Sequence, residues 1–277
     1  MKVLVIGDVI DDIIVVPNQA IRPNTDTTAK INHTYGGSAA NIASWAAHNG
    51  ADVSFVGCVN DKDAKRIESQ FSEYGVETFL QLDQKETGTL VSIVEGASRT
   101  MLTDRGANAA LSLESLTDAF IEQFGFVFIS GYALFGKTVK SIIEFIQRVK
   151  RLGCKVLVDP GSVGFIKDFG VEEFENAIAG VDILLPNQEE FEILGSGFGT
   201  VIVTKGDAGV DLYQAGKLVE SFAVQKLEAV DPTGAGDSFS GAVLASLAKG
   251  EDLQTAISAG ISSAAQAVMT IGARPQL

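Results

Sequence analysis

The richest concentration of potential chemistry in this sequence is Asp231-Pro-Thr233-Gly234-Ala235-Gly236-Asp237-Ser-Phe239, which runs into the small-residue, helix-forming stretch 240–248. Glycines beside an alanine just before a helix leave backbone N–H groups uncovered, and the positive end of the helix adds to them. The amides of Gly234, Ala235, Gly236 and Asp237 could therefore hold the charge of a transferring phosphoryl group. The Asp237 carboxylate at the mouth could take a proton from an attacking alcohol. The same residues also fit a plain glycine turn with Asp237 as a helix cap, and the stretch alone leaves both readings open.

Other residues suit the same kind of site. Gly36 and Gly37 let a ligand approach the backbone, and Asn41, on the helix that follows, offers a donor and an acceptor to hydroxyl groups. Asp12 lies just beyond the apolar first strand, near the end where open α/β sheets bind ligands. Asn187 and Glu190 follow the apolar run 181–186 and are hard oxygen ligands suited to Mg2+ held through water and phosphates, or else the start of a helix. Thr204-Lys205-Gly206-Asp-Ala-Gly209 reads as a tight connection between strands.

A competing pattern is Gly131-Tyr-Ala-Leu-Phe-Gly136-Lys137-Thr138, which matches the phosphate-loop motif and its strand-to-helix context. Its four variable positions are bulky for a loop that must wrap a phosphate. A fold built on it would also leave the glycine pair, the Asn187/Glu190 set and Asp237 without a common purpose. Lys137 is then expected to be a solvated helix residue.

The elements that must position these groups follow from periodicity. Short apolar runs at 53–56, 126–130, 155–159, 183–186 and 200–204 alternate with amphipathic stretches such as 136–153, the pattern of a parallel sheet covered by helices on both faces. Two stretches break the rhythm. Residues 13–35 are polar with β-branched clusters, and 88–103 reads as two strands around a glycine-containing turn. Strands outside the main sheet suggest a lid, formed by about 13–35 and 88–105, inserted in one domain covering 1–277. The stretch 253–270 reads as a closely packed C-terminal helix.

At 277 residues and 46% hydrophobic, the chain can bury a large core. Its 35 acids against 21 bases, a formal charge of −14, argue against a nucleic-acid-binding surface. A small anionic ligand needs only local amides and one or two cations. No stretch approaches the roughly 18 apolar residues of a membrane span, and the start lacks the basic flank and long apolar run of a secretion signal. Cys58 and Cys154 show no metal spacing, which points to packing thiols in the cytoplasm.

Taken in order, these motifs resemble the signature of the PfkB, or ribokinase-like, sugar and nucleoside kinases. The match includes Gly7 with Asp12, Gly36-Gly37-Ser-Ala-Ala-Asn41, Phe55-Val-Gly57 with Asp61, Asn187-Gln-Glu-Glu190, Thr204-Lys-Gly206 with Gly209, and the stretch 231–239. The resemblance spans nearly the whole chain. It implies a three-layer α/β/α fold with a mostly parallel central sheet and a small β lid. It also implies ATP-dependent phosphorylation of a hydroxymethyl group on a small sugar, or on a nucleoside, with Asp237 as base. By the same resemblance Asp12 binds substrate hydroxyls, Asn187 and Glu190 serve Mg2+ and the phosphates, and residues 204–209 lie along the nucleotide. A carbonyl site for K+ would use Asp231, Thr233, Ala267, Thr270 and Gly272.

The sequence departs from the family at the acceptor end. Tyr132 stands where similar ribokinases carry a glutamate that contacts the sugar, leaving ribose itself in question. Arg105 follows the presumed lid strands, near where some relatives that take acidic sugars or fructose place an arginine; it is either a reader of a carboxylate or phosphate or a surface residue. A basic residue usual after Asp159-Pro-Gly161 is missing, so Lys205 becomes a candidate for that contact. The connection 194–200 is shorter than in relatives. A kinase-like protein that binds sugar without turnover is the non-enzyme alternative. Edge strands in a lid suggest a homodimer.

Overall fold

The apolar run Val3–Ile6 forms β1, with all four side chains buried. Because side chains alternate along a strand, Val3 and Val5 join one hydrophobic cluster while Leu4 and Ile6 join another on the opposite face. A strand buried on both faces needs a covering layer on each side, and the rest of the chain supplies two.

The computed structural model describes residues 1–95 and 98–276. The strands after β1 are β2 (Ile10–Pro17), β3 (Ala29–Gly36), β4 (Val53–Asn60), β5 (Glu77–Asp83), β6 (Gly88–Glu95) and β7 (Ser98–Asp104). They continue with β8 (Phe126–Ser130), β9 (Lys155–Asp159), β10 (Ile183–Leu184), β11 (Thr200–Thr204), β12 (Val210–Gln214) and β13 (Lys217–Phe222). The helices are α1 (Ser38–His48), α2 (Ala64–Glu73), α3 (Asp118–Ile121), α4 (Gly131–Leu134) and α5 (Val139–Arg151). After them come α6 (Val163–Phe169), α7 (Val171–Ile178), α8 (Gln188–Leu194), α9 (Ala235–Ala248) and α10 (Leu253–Ala267).

Nine strands form the main sheet in the order β13-β12-β11-β10-β9-β8-β1-β4-β5. Pairing is parallel from β11 to β5, and only β12 and β13 run antiparallel. Helices α5 to α8 pack on the face holding Leu4 and Ile6, whereas α1, α2, α9 and α10 pack on the face holding Val3 and Val5. The chain leaves β1 toward β4 on one side and later returns to β8 on the other. The strand order therefore reverses between β1 and β8, and the carboxyl ends of those strands border a crevice where open α/β sheets bind ligands.

A separate sheet has the order β3-β2-β6-β7. Its central pair, β2 and β6, is parallel, and the outer pairs are antiparallel. Ile10 at the start of β2 pairs with Gly36 at the end of β3, so this sheet enters and leaves the α/β core at one point. The turn read between β6 and β7 lies outside the described residues.

Several boundaries differ from the sequence expectation. The run at 53–56 continues to Asn60 because β5 pairs along its full length. The run at 183–186 shrinks to Ile183–Leu184, since Pro186 has no N–H for the ladder. The last helix ends at Ala267, and α9 begins at Ala235 rather than 240. Cys58 and Cys154 are buried free thiols. Among the described residues, no helix is long and apolar enough to cross a membrane.

Candidate active site

Asp8 directly follows β1 at the reversal of strand order. Its Oδ2 accepts the Ser38 N–H at 2.8 Å, and its Oδ1 accepts the Ala39 N–H at 3.3 Å and the Ser130 hydroxyl at 3.0 Å. One carboxylate thus fastens the first turn of α1 to the end of β8, where a negative charge also suits the helix dipole. Burial pushes the Asp8 carboxyl upward, against those hydrogen bonds. Gly37 makes the approach possible: its φ is 93°, and a Cβ there would lie 2.5 Å from the Asp8 carbonyl oxygen.

Asp237 comes to the same place from the far end of the chain. Gly234 caps α9 with φ 77°, and a side chain there would stand 2.7 Å from Ala273 Cα. The first helical bond runs from the Ser238 N–H to the Gly234 carbonyl at 2.8 Å. The Ala235 N–H donates back to Pro232 at 3.3 Å, leaving Gly236 and Asp237 as the amides of the first turn without an intrahelical acceptor. Asp237 Oδ1 accepts the Ser38 hydroxyl and Oδ2 accepts the Asn41 Nδ2–H, both at 2.8 Å. Burial is the main cause that pushes the Asp237 carboxyl up to about 6; the two hydrogen bonds oppose it, and the charges of Asp8 and Asp12 reinforce it.

Asp12, Asn41, Asp159, Asn187, Glu190 and Asp237 line one cavity of about 500 Å3. Asn187 and Glu190 form a reciprocal helix cap. The Glu190 N–H donates to Asn187 Oδ1 at 2.9 Å, while the Asn187 N–H and Nδ2–H donate to the Glu190 carboxylate at 2.9 and 2.8 Å. The helix-start role is therefore filled, yet both residues still face the cavity. Glu190 is only 2% exposed, and burial raises its carboxyl. Asp159 is raised well above the ordinary carboxylate range by burial and by the charges of Glu190 and Asp237. Among the described residues, no three or more His, Cys, Asp or Glu side chains are arranged to hold a metal by themselves. Two or three crowded carboxylates without a closed cage fit a hard divalent cation that keeps most of its ligands as water and phosphate oxygen.

The other end of the cavity is walled by Leu90, Met101 and Thr103 from the smaller sheet, together with Tyr132, Phe165 and Arg105. Gly36 passes against the Asp12 carboxylate, where a Cβ would lie 2.2 Å from Oδ2. The alternative of a surface arginine at 105 does not hold. Arg105 is half-buried, and its guanidinium donates to the carbonyls of Phe135 at 2.6 Å and Tyr132 at 2.7 Å while lining the cavity. Tyr132 donates its hydroxyl to the Gly161 carbonyl at 3.0 Å and meets Phe165 edge-on at 5.5 Å. Burial and the surrounding acids raise its phenol, which stays neutral.

A second cavity of about 490 Å3 adjoins the first, because Thr204 and Gly236 line both. Gly206, Gly209, Val210, Phe239, Ile261 and Ala264 contribute to its walls. Lys205 sits beside it but pairs with Asp211 at 2.7 Å. The loop after α10 also arrives here: Val268 accepts the N–H groups of Val230 and Asp231, at 2.8 and 3.2 Å. Asp231 in turn accepts the Thr233 N–H at 2.9 Å and the Gly272 N–H at 3.1 Å, and the Thr270 hydroxyl donates to Ala267 at 3.1 Å.

The phosphate-loop match folds differently. Residues 131–134 form the single turn α4, Ala133, Leu134 and Phe135 are buried, and a Cβ on Gly131 would fall 2.0 Å from the Pro160 carbonyl oxygen. No room is left there for a phosphate against the backbone. Lys137 is not a solvated helix residue either: it precedes α5, is half-buried, and donates to the Leu111 carbonyl. Asp8 and Ser38 line the cavity, and their local signal in the sequence is limited to the place of Asp8 after a buried strand and of Ser38 beside the Gly36–Gly37 pair. Arg274 reaches the site through Asn41, to which it donates, and stands in a segment with no local pattern.

The pfkB family carbohydrate kinase model matches residues 1–277. The ribokinase of Haemophilus influenzae is 28% identical over 295 residues, covering 96% of this chain and 92% of that protein. An adenosine kinase from Sinorhizobium meliloti superposes with a TM-score of 0.86 at 22% identity, covering 100% of this chain and 96% of that one. A candidate ribokinase II from E. coli, solved with ATP and Mg2+, gives a TM-score of 0.83 at 22% identity over 98% of this chain and 94% of that one. Both structures share the ribokinase-like α/β fold described above.

Proposed function

The chain belongs to the pfkB family of carbohydrate kinases, and from that premise we propose that Asp237 is the base in transfer of the ATP γ-phosphoryl group to a hydroxymethyl oxygen. The O–H bond breaks toward the Asp237 carboxylate while the oxygen forms a bond to phosphorus. The bond to the bridging oxygen breaks, and ADP leaves with that electron pair. The amides of Gly236 and Asp237, at the positive end of α9, face charge developing on the transferring group.

One observation carries this reading: Asp237 lines the first cavity while its neighbour Gly236 lines both. The first cavity takes the acceptor, through Asp12, the Gly36–Gly37 pair, Arg105 and Tyr132. Asn41 serves chiefly to hold the base, since its amide is already engaged. The second takes ATP along Thr204, Gly206 and Gly209, with Lys205 alongside. Glu190 and Asn187 are the residues that would hold Mg2+. A bound Mg2+ would offset the charge of the phosphates. Carbonyls around Asp231, Thr233, Ala267, Thr270 and Gly272 would hold K+, a reading supported by the contacts that join Asp231 to that loop.

We take the four-stranded sheet as a lid, because Leu90, Met101 and Thr103 contribute to the acceptor cavity. Its exposed Ile31, Met101 and Leu102 make a homodimer through this sheet the assembly to test by light scattering. A cytoplasmic setting goes with the use of ATP and with the reduced thiols.

A small sugar is the favoured acceptor. A nucleoside is the second reading, favoured by the aromatic wall of Tyr132 and Phe165, against which a base could pack. The test is ATP turnover with Mg2+ over D-ribose, D-fructose, D-gluconate and adenosine. Turnover with a sugar supports the first reading and with adenosine alone the second. Tight acceptor binding with no ADP formed over the whole panel would favour a protein that binds without catalysis.

A further inference from the structure

Arg274 lies in the C-terminal tail, 8% exposed, where burying a cation carries a penalty unless it is well held. Its Nε–H donates to Asn41 Oδ1 and its Nη2–H to the Gly36 carbonyl, both at 3.3 Å, and its guanidinium stands 5.4 Å from the centre of the Phe71 ring. The charged and titratable groups facing it are Tyr74, Tyr35, Asp11 and Asp12. Those facing Asp237 are Asp8, Asp12, Asp159 and Tyr132. The tail itself is pinned, because the Trp45 indole N–H donates to Ala273 at 2.9 Å and Ala273 packs on Gly234.

An amide side chain has one accepting end and one donating end, while a guanidinium only donates and a carboxylate only accepts. With Arg274 on one side of Asn41 and Asp237 on the other, a single amide orientation satisfies both. The flipped amide would set oxygen against carboxylate and NH2 against guanidinium. We propose that Arg274 is a positioning residue for the phosphoryl-transfer step, locking Asn41 so that its Nδ2–H holds the Asp237 carboxylate, and tying that unit to the Gly36 turn. The inference rests on the reading of Asp237 as base.

The test is a double-mutant cycle read by steady-state kinetics, with the acceptor chosen from the sugar and nucleoside panel above. Arg274→Met and Arg274→Lys are measured alone and in the Asn41→Ala background. Arg274→Met is expected to lower kcat about 10- to 100-fold with the KM for ATP within about 2-fold, and Arg274→Lys, which keeps one donor, to recover most of that loss. In the Asn41→Ala background Arg274→Met should lower kcat by less than about 3-fold, since its target is gone. Equal losses in both backgrounds, or a lowered melting temperature with kcat retained, would overturn the proposal. If the Met variant does not fold, Arg274→Gln, which removes the charge and shortens the side chain, is run through the same cycle and decides by the same criterion. An Asp237→Asn enzyme that keeps its turnover removes the base assignment itself; an inactive one combined with an additive cycle removes only the role of Arg274.

Discussion

Asn41 donates its Nδ2–H to Asp237 Oδ2 at 2.8 Å across 196 residues of sequence. The contact exists because α1 and α9 pack on the same face of the sheet, with their N-termini at the carboxyl ends of the strands. It matters because that carboxylate is half-buried among other acids. Without donors to hold its charge, burial alone would leave it protonated and useless as a base near neutral pH.

The first prediction is a pH profile. Asp237 works ionised and its carboxyl is pushed up to about 6, so kcat/KM should fall as pH drops through about 6 and reach a plateau above it. Asn41→Ala removes a bond that favours the ionised form, so the midpoint should move upward. A profile that stays flat between about pH 5 and 8 would contradict the assignment.

Stability should run opposite to activity at this position. The folded-state value of about 6 lies above the ordinary 3.8, so the folded protein binds this proton more tightly than the unfolded chain does. The group's favourable contribution is fully present below 3.8 and is lost as pH rises through about 6. Asp237→Asn should therefore raise the melting temperature at about pH 7.5, by on the order of 1–3 kcal/mol in stability, with the gap closing in acid. Thermal melts at two pH values check it; a variant less stable at both would refute it.

Lys137→Ala separates this site from a phosphate loop. Lys137 reaches no part of either cavity and donates to the Leu111 carbonyl. The substitution should leave kcat within about 2-fold and lower stability by about 1 kcal/mol through the lost hydrogen bond. Loss of turnover by several orders of magnitude would revive the discarded motif.

Arg105→Leu should act on the acceptor alone. The guanidinium clamps the Phe135 and Tyr132 carbonyls at the acceptor end of the cavity and lies away from the walls of the second cavity. The acceptor KM should rise about 10-fold or more with little change in the KM for ATP. Equal changes in both would place Arg105 elsewhere in the cycle.

The fold was legible in the sequence wherever burial on both faces made a strand a continuous apolar run, as at Phe126–Ser130, Lys155–Asp159 and Thr200–Thr204. It was less legible at β5, where Phe79, Leu80 and Leu82 are mixed with polar residues without strict alternation and Phe79 and Leu82 are exposed. In the site, Asp237, Asn187 and Glu190 stood out because glycines, strand ends and helix starts mark them locally. Asp8, Ser38 and Arg274 did not, because each matters only through partners far away in the chain. Asp8 meets Ser130 across 122 residues and Arg274 meets Asn41 across 233. Lys205 shows the converse: a motif suggested a nucleotide contact, whereas the folded chain commits its ammonium to Asp211.

Single-turnover phosphoryl transfer with Asp237→Asn, alongside calorimetric binding of ATP with Mg2+, decides whether Asp237 is the base. The asparagine can keep the hydrogen bond from Ser38 but cannot take a proton. The transfer rate should fall about 100- to 10,000-fold with the Kd for ATP within about 2-fold of wild type. A variant that binds ATP normally and retains more than about a tenth of the wild-type rate would contradict that assignment.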